Sequence, residues 1–294
     1  MALISTNIFV TGGTAGYICI YGQSQLKRDK IFDNQVARIA SHNGQIIATA
    51  WQESIKVLNT DLEVVEEYPG LENLRCKAID VIKDYIALGA SNGNILIIKR
   101  GIQYVRRLYT EHNANITRLK WNKLDNSQLL VSCSFNIIKV WNPNQSQSIK
   151  TYTEHESTVN HIDWIRLPNS AETSIISCSD DGSCKIWSQN EINSIHSLHH
   201  RNSPCLKFVA NKRHELLVVA TQSGIAVWSL EDLDLIKLMT RFKDTKDVQF
   251  NQDGSKLATC QVNYLLSSKR NYNFFKSKGD IYQIDLSLLD ATEL

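Results

Sequence analysis

Three side chains in the middle of the chain are of the types that form a nucleophilic catalytic triad. His155, Ser177 and Asp181 could serve as general base, nucleophile and orienting carboxylate, as they do in hydrolases of several unrelated folds. The residue types alone do not establish this chemistry, because the elements that carry the side chains must bring them together. The surrounding sequence has to be considered before a role is assigned.

A glycine-rich segment near the start imitates the phosphate-binding loop of short-chain dehydrogenases. It reads FVTGGTAGYI over residues 9–18, and Tyr272 and Lys276 satisfy a Y-x-x-x-K pattern near the other end of the chain. Such a loop requires a helix directly after it, whose N-terminus holds the pyrophosphate. The residues that follow, YICIYG, favour a strand instead. We therefore expect no enzyme, no cofactor and no small-molecule substrate.

A group of cysteines and histidines raises the alternative of a zinc site. Its members are Cys178, Cys184, His196, His199, His200 and Cys205. Cys178 and Cys184 lie on the two arms of one predicted hairpin, at positions expected to face a core. Buried reduced thiols behave as small apolar side chains, so we predict no metal.

Residues 262–278 form an insertion in which basic and aromatic side chains alternate without any acid. The candidates for partner binding within it are Lys269, Arg270, Tyr272, Phe274, Phe275 and Lys276. Such a mixture can stack bases while following a phosphate backbone, or it can bind an acidic peptide. A solvated extension of a hairpin is the third alternative, and the sequence does not separate the three.

Composition limits the classes of protein to consider. The 294 residues are 43% hydrophobic and 21% charged, with 32 Lys+Arg against 30 Asp+Glu. A net charge of +2 is too balanced for general binding to nucleic acid or to a membrane surface. No apolar run is long enough to cross a bilayer. The 7 cysteines are odd in number and form no C-x-x-C pair, so we expect a reducing compartment, the cytoplasm or the nucleus.

The elements that position these side chains repeat along the chain. Each repeat contains an apolar run, a short turn and an alternating run. The alternating run ends at Trp141, Trp187 or Trp228 in the three clearest copies, and at Tyr21, Leu58, Ile98 or Ile284 in the weaker ones. Each copy predicts a β-hairpin, and two further strand patterns accompany most of them. Four short strands in about forty residues predict an antiparallel all-β unit that must stack on its neighbours.

These repeats resemble the Trp-Asp (WD) repeat family over essentially the whole chain. The resemblance implies a seven-bladed β-propeller of four-stranded antiparallel blades. It also implies that His155, Ser177, Asp181 and Trp187 form a buried structural tetrad joined by hydrogen bonds, and no catalytic site. The fourth unit keeps His112, Ser132 and Trp141 in a turn one residue shorter, and the sixth keeps Thr221 and Trp228 without an aspartate.

We expect one domain over residues 1–294. Its approximate blades are 1–32, 33–74, 75–112, 113–155, 156–200, 201–242 and 243–294. The first unit leaves no room for an innermost strand before Asn7, so we expect Ala2–Ser5 or Leu286–Leu294 to supply a missing strand where the repeats meet.

The resemblance implies that function resides on loops held by the blades. Aligning the first strands of the units places Lys77, Thr117, Asn160 and Lys246 at equivalent positions, with Arg38, Arg118 and Asp180 nearby. The predicted function is a non-enzymatic interaction platform, a scaffold or adaptor subunit, for peptide segments of other proteins that are acidic or phosphorylated. The alternatives are a nuclear or nucleic-acid-associated propeller that uses residues 262–278, and a ubiquitin-ligase substrate receptor.

Overall fold

The computed structural model describes residues 2–5, 8–22, 26–69, 74–101, 106–199, 203–211, 213, 215–250, 256–263 and 278–285. The regular structure of these residues consists of strands and one short 3-10 helix, Thr240–Phe242. None of the described segments is a helix of the length and apolarity needed to cross a membrane. The prediction of an all-β chain of four-stranded antiparallel sheets is confirmed.

The chain divides into two compact units. Residues 1–154 and 162–164 form unit 1, and residues 155–161 and 165–294 form unit 2. In the sheets described below, the strands are hydrogen-bonded in the order of the chain, so each sheet is a meander whose first strand and last strand are its two edges.

Four sheets precede residue 155. The first contains β1 (Ala2–Ser5), β2 (Ile8–Gly12), β3 (Tyr17–Tyr21) and β4 (Leu26–Lys30). The second contains β5 (Val36–His42), β6 (Gln45–Ala50), β7 (Ile55–Leu58) and β8 (Val64–Tyr68). The third contains β9 (Cys76–Val81), β10 (Tyr85–Ala90), β11 (Ile95–Lys99) and β12 (Arg106–Tyr109). The fourth contains β13 (Ile116–Trp121), β14 (Leu130–Ser134), β15 (Ile137–Trp141) and β16 (Ser148–Tyr152).

Three further sheets follow. The fifth contains β17 (Val159–Ile165), β18 (Ser174–Ser179), β19 (Ser183–Trp187) and β20 (Ser194–His199). The sixth contains β21 (Cys205–Asn211), β22 (Leu216–Thr221), β23 (Gly224–Ser229) and β24 (Leu235–Met239). The last has three described strands, β25 (Thr245–Phe250), β26 (Lys256–Asn263) and β27 (Lys278–Asp285).

Burial explains why the strands differ in composition. The second strand of a sheet is apolar or small along its whole length and is buried on both faces, as in β14 and β18. The last strand is polar and half exposed, as in β4 and β20. A strand that is buried on both faces reads as a continuous apolar run, whereas an edge strand carries charge that discourages further pairing.

Close packing between neighbouring sheets of unit 1 depends on glycine. A Cβ atom added to Gly89 of β10 would lie 2.4 Å from Cγ2 of Ile116, at the start of β13. The second strand of the third sheet therefore approaches the first strand of the fourth more closely than any larger residue permits. This contact fixes the beginnings of successive first strands near one another.

The expectation that the first unit has no room for its own first strand is wrong, and the alternative that Ala2–Ser5 supplies the missing strand is confirmed. Ala2–Ser5 forms β1 and pairs with β2, with Ala2 opposite Val10 and Leu3 opposite Phe9. Four residues with one irregularity in register suffice for an edge strand of this length. Residues 286–294 lie outside the described residues.

Candidate functional site

Ser177 lies at the centre of a chain of hydrogen bonds that contains all four predicted members of the tetrad. The indole Nε1 of Trp187 donates to Ser177 Oγ at 2.8 Å, and Ser177 Oγ lies 2.7 Å from His155 Nε2. An indole nitrogen can only donate. The serine oxygen therefore accepts the indole proton and donates its own to Nε2, which leaves the histidine proton on Nδ1.

Asp181 receives that Nδ1 proton. Its Oδ2 lies 2.6 Å from His155 Nδ1 and also accepts the backbone N–H of Glu156, at 3.1 Å. Its Oδ1 accepts both the N–H and the hydroxyl of Ser183, at 2.9 and 2.6 Å. Burial alone would raise the pKa of Asp181, but the hydrogen bonds from Ser183 and His155 outweigh it and lower the pKa. The carboxylate is ionised at neutral pH.

This geometry leaves the triad-like residues without access to a substrate. Ser177 and the Trp187 side chain are fully buried, and the hydroxyl of Ser177 already makes two hydrogen bonds within the protein. A serine nucleophile must face a space in which a carbonyl carbon can lie close to it. The arrangement therefore ties the loop at residue 155 and the turn at residue 181 to the core of the fifth sheet, and it stabilises a fully satisfied buried polar network.

The fourth sheet contains a truncated version of the same network. Trp141 Nε1 donates to Ser132 Oγ at 2.8 Å, and Ser132 Oγ lies 2.8 Å from His112 Nε2. The shorter β14–β15 turn, in which Phe135 has φ of 51°, supplies no aspartate. His112 Nδ1 is buried and has no hydrogen-bond partner among the residues that the structure describes. Burial, reinforced by the charge of Lys139, lowers the pKa of His112 to about 4.

The expectation that Thr221 takes the part of the serine in the sixth unit is wrong. In the fifth sheet, Ser177 is paired with Lys185, which lies two residues before Trp187. In the sixth sheet, the residue two before Trp228 is Ala226, and its partner is Val219. The Thr221 hydroxyl instead donates to the carbonyl of Gly224, at 2.9 Å. The sixth sheet lacks the hydroxyl that an indole–serine–histidine chain requires. Thr221 lies two positions after Val219 in the same strand, so the alternation of side chains does not distinguish the two residues.

The described cysteines and histidines of the zinc-site alternative lie in different environments, and His200 lies outside the described residues. Cys178, Cys184 and Cys205 are buried in one apolar cluster. A contact with the thiol of Cys178 and burial raise the pKa of Cys184, so its thiol stays neutral. His196 and His199 are exposed on β20. Among the described residues, no group of three or more His, Cys, Asp or Glu side chains could hold a metal ion.

The predicted partner-binding residues on the first strands share a local backbone feature. In β9, β13 and β25 the pairing with the second strand skips one residue, and the skipped residues are Lys77, Thr117 and Lys246. Each is the extra residue of a β-bulge, which twists the strand and redirects its side chain. Ala37 and Leu206 occupy the same place in β5 and β21.

Two arginines follow the bulges in unit 1 and adopt the same contact. Arg38 Nη1 donates to the carbonyl of Ala37 at 2.7 Å, and Arg118 Nη1 donates to the carbonyl of Thr117 at 3.1 Å. Arg38 Nε also donates to the carbonyl of Lys77, on the first strand of the next sheet. Both arginines are exposed. Each guanidinium is therefore held in place by backbone carbonyls, which satisfy donors without neutralising the charge.

Asn160 and Asp180 lie together in unit 2. The amide nitrogen Nδ2 of Asn160 donates to Asp180 Oδ1 at 2.6 Å and to the carbonyl of Cys205 at 2.9 Å. The backbone N–H of Asp180 donates to the carbonyl of Thr158, at 3.0 Å. The two predicted residues thus form a small network that places the Asp180 carboxylate at the surface.

The predicted residues of the insertion lie outside the described residues. They are Lys269, Arg270, Tyr272, Phe274, Phe275 and Lys276. The structure describes the two ends of the insertion, where Asn263 pairs with Lys278 and Val262 with Gly279. The last described hairpin therefore continues up to the insertion.

Comparisons with known proteins agree with this architecture. Residues 146–188 match the family model described as WD domain, G-beta repeat. The solved structure of the C-terminal WD40 domain of Sif2 superimposes with a TM-score of 0.69 and is 18% identical, covering 86% of this chain and 75% of that one. No curated protein shows significant sequence similarity to the chain.

Residues 146–188 thus resemble a WD repeat, and the chain has the fold of a WD40 domain. The matched residues contain Ser177, Asp181 and Trp187. The resemblance expected from the sequence is confirmed.

Proposed function

We propose that this chain is a non-enzymatic platform that binds segments of partner proteins through the loops at the beginnings of the first strands. The observation that carries the proposal is the β-bulge repeated at that position in β5, β9, β13, β21 and β25. Bulges are common beside functional sites because they redirect a side chain without disturbing the sheet. A side chain on such a bulge is presented by a rigid element, as recognition requires.

The non-enzymatic part of the proposal draws support from the hydrogen bonds of Ser177. Its hydroxyl is buried between Trp187 and His155, so the one triad-like set that the sequence suggested is engaged in packing. We further propose that the seven described sheets are the blades of a single seven-bladed propeller, and that the protein works in the cytoplasm or the nucleus. The binding partner would be another protein, and its binding by this chain would require neither a cofactor nor a membrane.

Site-specific photocrosslinking tests the proposal. A photoreactive amino acid is placed at Lys77, on the β9 bulge, or at Lys83, an exposed lysine in the turn at the opposite end of β9, in cells that express the protein. We expect discrete crosslinks to partner proteins at position 77 and none of the same size at position 83. Equal crosslinking at both positions, or none at 77, would contradict a binding face at the beginnings of the first strands.

A further inference from the structure

The charged side chains at the beginnings of the first strands are distributed unevenly. In unit 1, the beginnings of β5, β9 and β13 carry Arg38, Arg75, Lys77 and Arg118. Within the described residues, none of the four forms an ion pair with a carboxylate. We call these four residues the basic edge.

Two described acidic groups near the basic edge already have partners. Glu53 Oε1, in the β6–β7 turn, accepts the backbone N–H of Asn34 at 2.7 Å. Asp33 lies 3.2 Å from the ammonium of Lys30. The positive potential of the four basic side chains is therefore only partly offset by neighbouring carboxylates, and it remains available to an external anion.

The equivalent positions of unit 2 are different. Lys207 follows the β21 bulge, as Arg38 and Arg118 follow theirs, but it forms an ion pair with Asp247. Asp180 is exposed beside Asn160. The cation of Lys207 is thus neutralised within the protein. At the same strand ends, the basic side chains of Lys243 and Lys246 lie with the exposed acids Asp180 and Asp244.

An exposed aromatic side chain adjoins the basic edge. Trp51, in the β6–β7 turn, is 42% exposed, and the guanidinium of Arg75 lies 5.2 Å from its ring centroid. The backbone holds both residues, because Trp51 N–H donates to the carbonyl of Gln35 and Ser91 N–H donates to that of Arg75. An exposed tryptophan stacked on arginine combines the two residue types most enriched in the hot spots of protein interfaces.

We propose that the basic edge with Trp51 binds an acidic segment of a partner protein, rich in carboxylate or phosphate groups and carrying one apolar side chain that packs on Trp51. This inference rests on the proposed function and names the chemistry of the partner. Arg38 and Arg118 are held in place by carbonyls, and Arg75 lies over the Trp51 ring, so their remaining N–H donors can bind a carboxylate or phosphate with little loss of side-chain freedom.

A nucleic acid fits this surface less well than an acidic peptide. Binding single strands requires a continuous basic track and several aromatic faces on which bases stack. Here Arg75 covers one face of the Trp51 ring, and the carboxylates of Glu53 and Asp33 interrupt the track. A peptide that carries one apolar side chain needs only the free face of Trp51, and the spacing of its acidic side chains can avoid these carboxylates.

Fluorescence anisotropy with four defined probes tests the inference. The probes are a short peptide of Asp and Glu with one central Leu, the same peptide with phosphoserine in place of some acids, its Asn/Gln analogue, and an oligouridine. We expect the wild-type chain to bind the acidic and phosphorylated peptides more tightly than the amide analogue. This affinity should weaken as salt is raised to about 0.5 M, where charges are screened within a few ångströms.

Charge reversal at matched positions identifies the surface. The variant Lys77→Glu with Arg118→Glu is compared with Lys83→Glu and Lys99→Glu, two exposed lysines at the opposite end of the third sheet. We expect the first pair to weaken acidic-peptide binding at least about tenfold and the second pair less than about twofold. Trp51→Ala should weaken binding of the peptide with Leu more than that of a peptide with Gly in its place.

Several results would overturn the inference. One is a wild-type chain that binds the acidic peptide and the amide analogue equally well. Another is an equal loss of acidic-peptide affinity in the two charge-reversal variants. The third is oligouridine binding that is tighter than peptide binding and that is lost in Lys77→Glu with Arg118→Glu. Circular dichroism and the unfolding midpoint establish that each variant folds. If photocrosslinks at position 77 persist while acidic peptides do not bind, the proposed function stands and the acidic partner is wrong.

Discussion

His155 belongs to the complete hydrogen-bond network of the fifth sheet, and His112 to the truncated network of the fourth. Replacing each histidine by leucine should change the free energy of unfolding by very different amounts. His155 accepts a hydrogen bond from Ser177 and donates one to the ionised Asp181. His112 accepts one from Ser132, and its other ring nitrogen is buried without a partner. The two histidines thus occupy equivalent positions and differ by one charge-assisted hydrogen bond.

The magnitude follows from that difference. In His155→Leu, a neutral hydrogen bond worth about 1 kcal/mol and one to a carboxylate worth about 1.5–3 kcal/mol are lost. In His112→Leu, the neutral bond of about 1 kcal/mol is lost, but the cost of about 1–3 kcal/mol for burying an unpaired nitrogen is relieved. We expect His155→Leu to lower the free energy of unfolding by about 3 kcal/mol more than His112→Leu, which should be nearly neutral at pH 7.

Urea denaturation at pH 7, followed by circular dichroism, measures the difference. The free energy of unfolding is extrapolated to water for the wild type and both variants, and the slopes are compared to verify that the same transition is observed. Equal destabilisation by the two substitutions, or a larger loss in His112→Leu, would refute the assignment of the hydrogen bonds.

Two further outcomes follow from buried groups in unit 1. The pKa of His112 is about 4 in the folded protein and 6.5 when unperturbed. Its contribution to the free energy of unfolding is therefore complete above pH 6.5 and is lost as the pH falls toward 4. Between these values the unfolding free energy of the wild type should fall by on the order of 3 kcal/mol more than that of His112→Leu, as pH-dependent denaturation will show. Gly93 has φ of +88°, and an added Cβ would lie 2.2 Å from the carbonyl oxygen of His112. Gly93→Ala should therefore lower the thermal midpoint far more than Gly44→Ala, where φ is +77° but no atom lies within 4 Å and the cost is about 1 kcal/mol. Similar midpoints for the two alanine variants would contradict the close approach at residue 93.

Much of the fold could be predicted from the sequence because strand burial leaves a direct mark on composition. The alternating runs that end at Trp141, Trp187 and Trp228 are strands β15, β19 and β23, and the apolar runs before them are their expected hairpin partners β14, β18 and β22. The ends of the last strands leave no such mark. The strand β24, for example, ends at Met239 and the chain continues as a 3-10 helix, because a half-exposed strand has no apolar pattern to mark its end.

The register and the bulges could not be obtained in this way. Thr221 was assigned to the position that Val219 occupies because a difference of two residues preserves the alternation of a strand. The bulges at Lys77 and Thr117 depend on which backbone pairs are skipped, which side-chain types do not reveal. Arg75 and Trp51 were missed for the same reason, since they are far apart in sequence and their contact becomes visible only in the folded unit.

Amide hydrogen exchange of the protein bound to its crosslinked partner, compared with the free protein, tests the central claim most directly. We expect slower exchange in the bound protein at residues 34–38, 74–78 and 114–118, where first strands begin, and at residues 51–54 in the β6–β7 turn. Exchange in the last strands β8 and β16 should be unchanged. Protection confined to those last strands, with none at the bulges, would contradict the account.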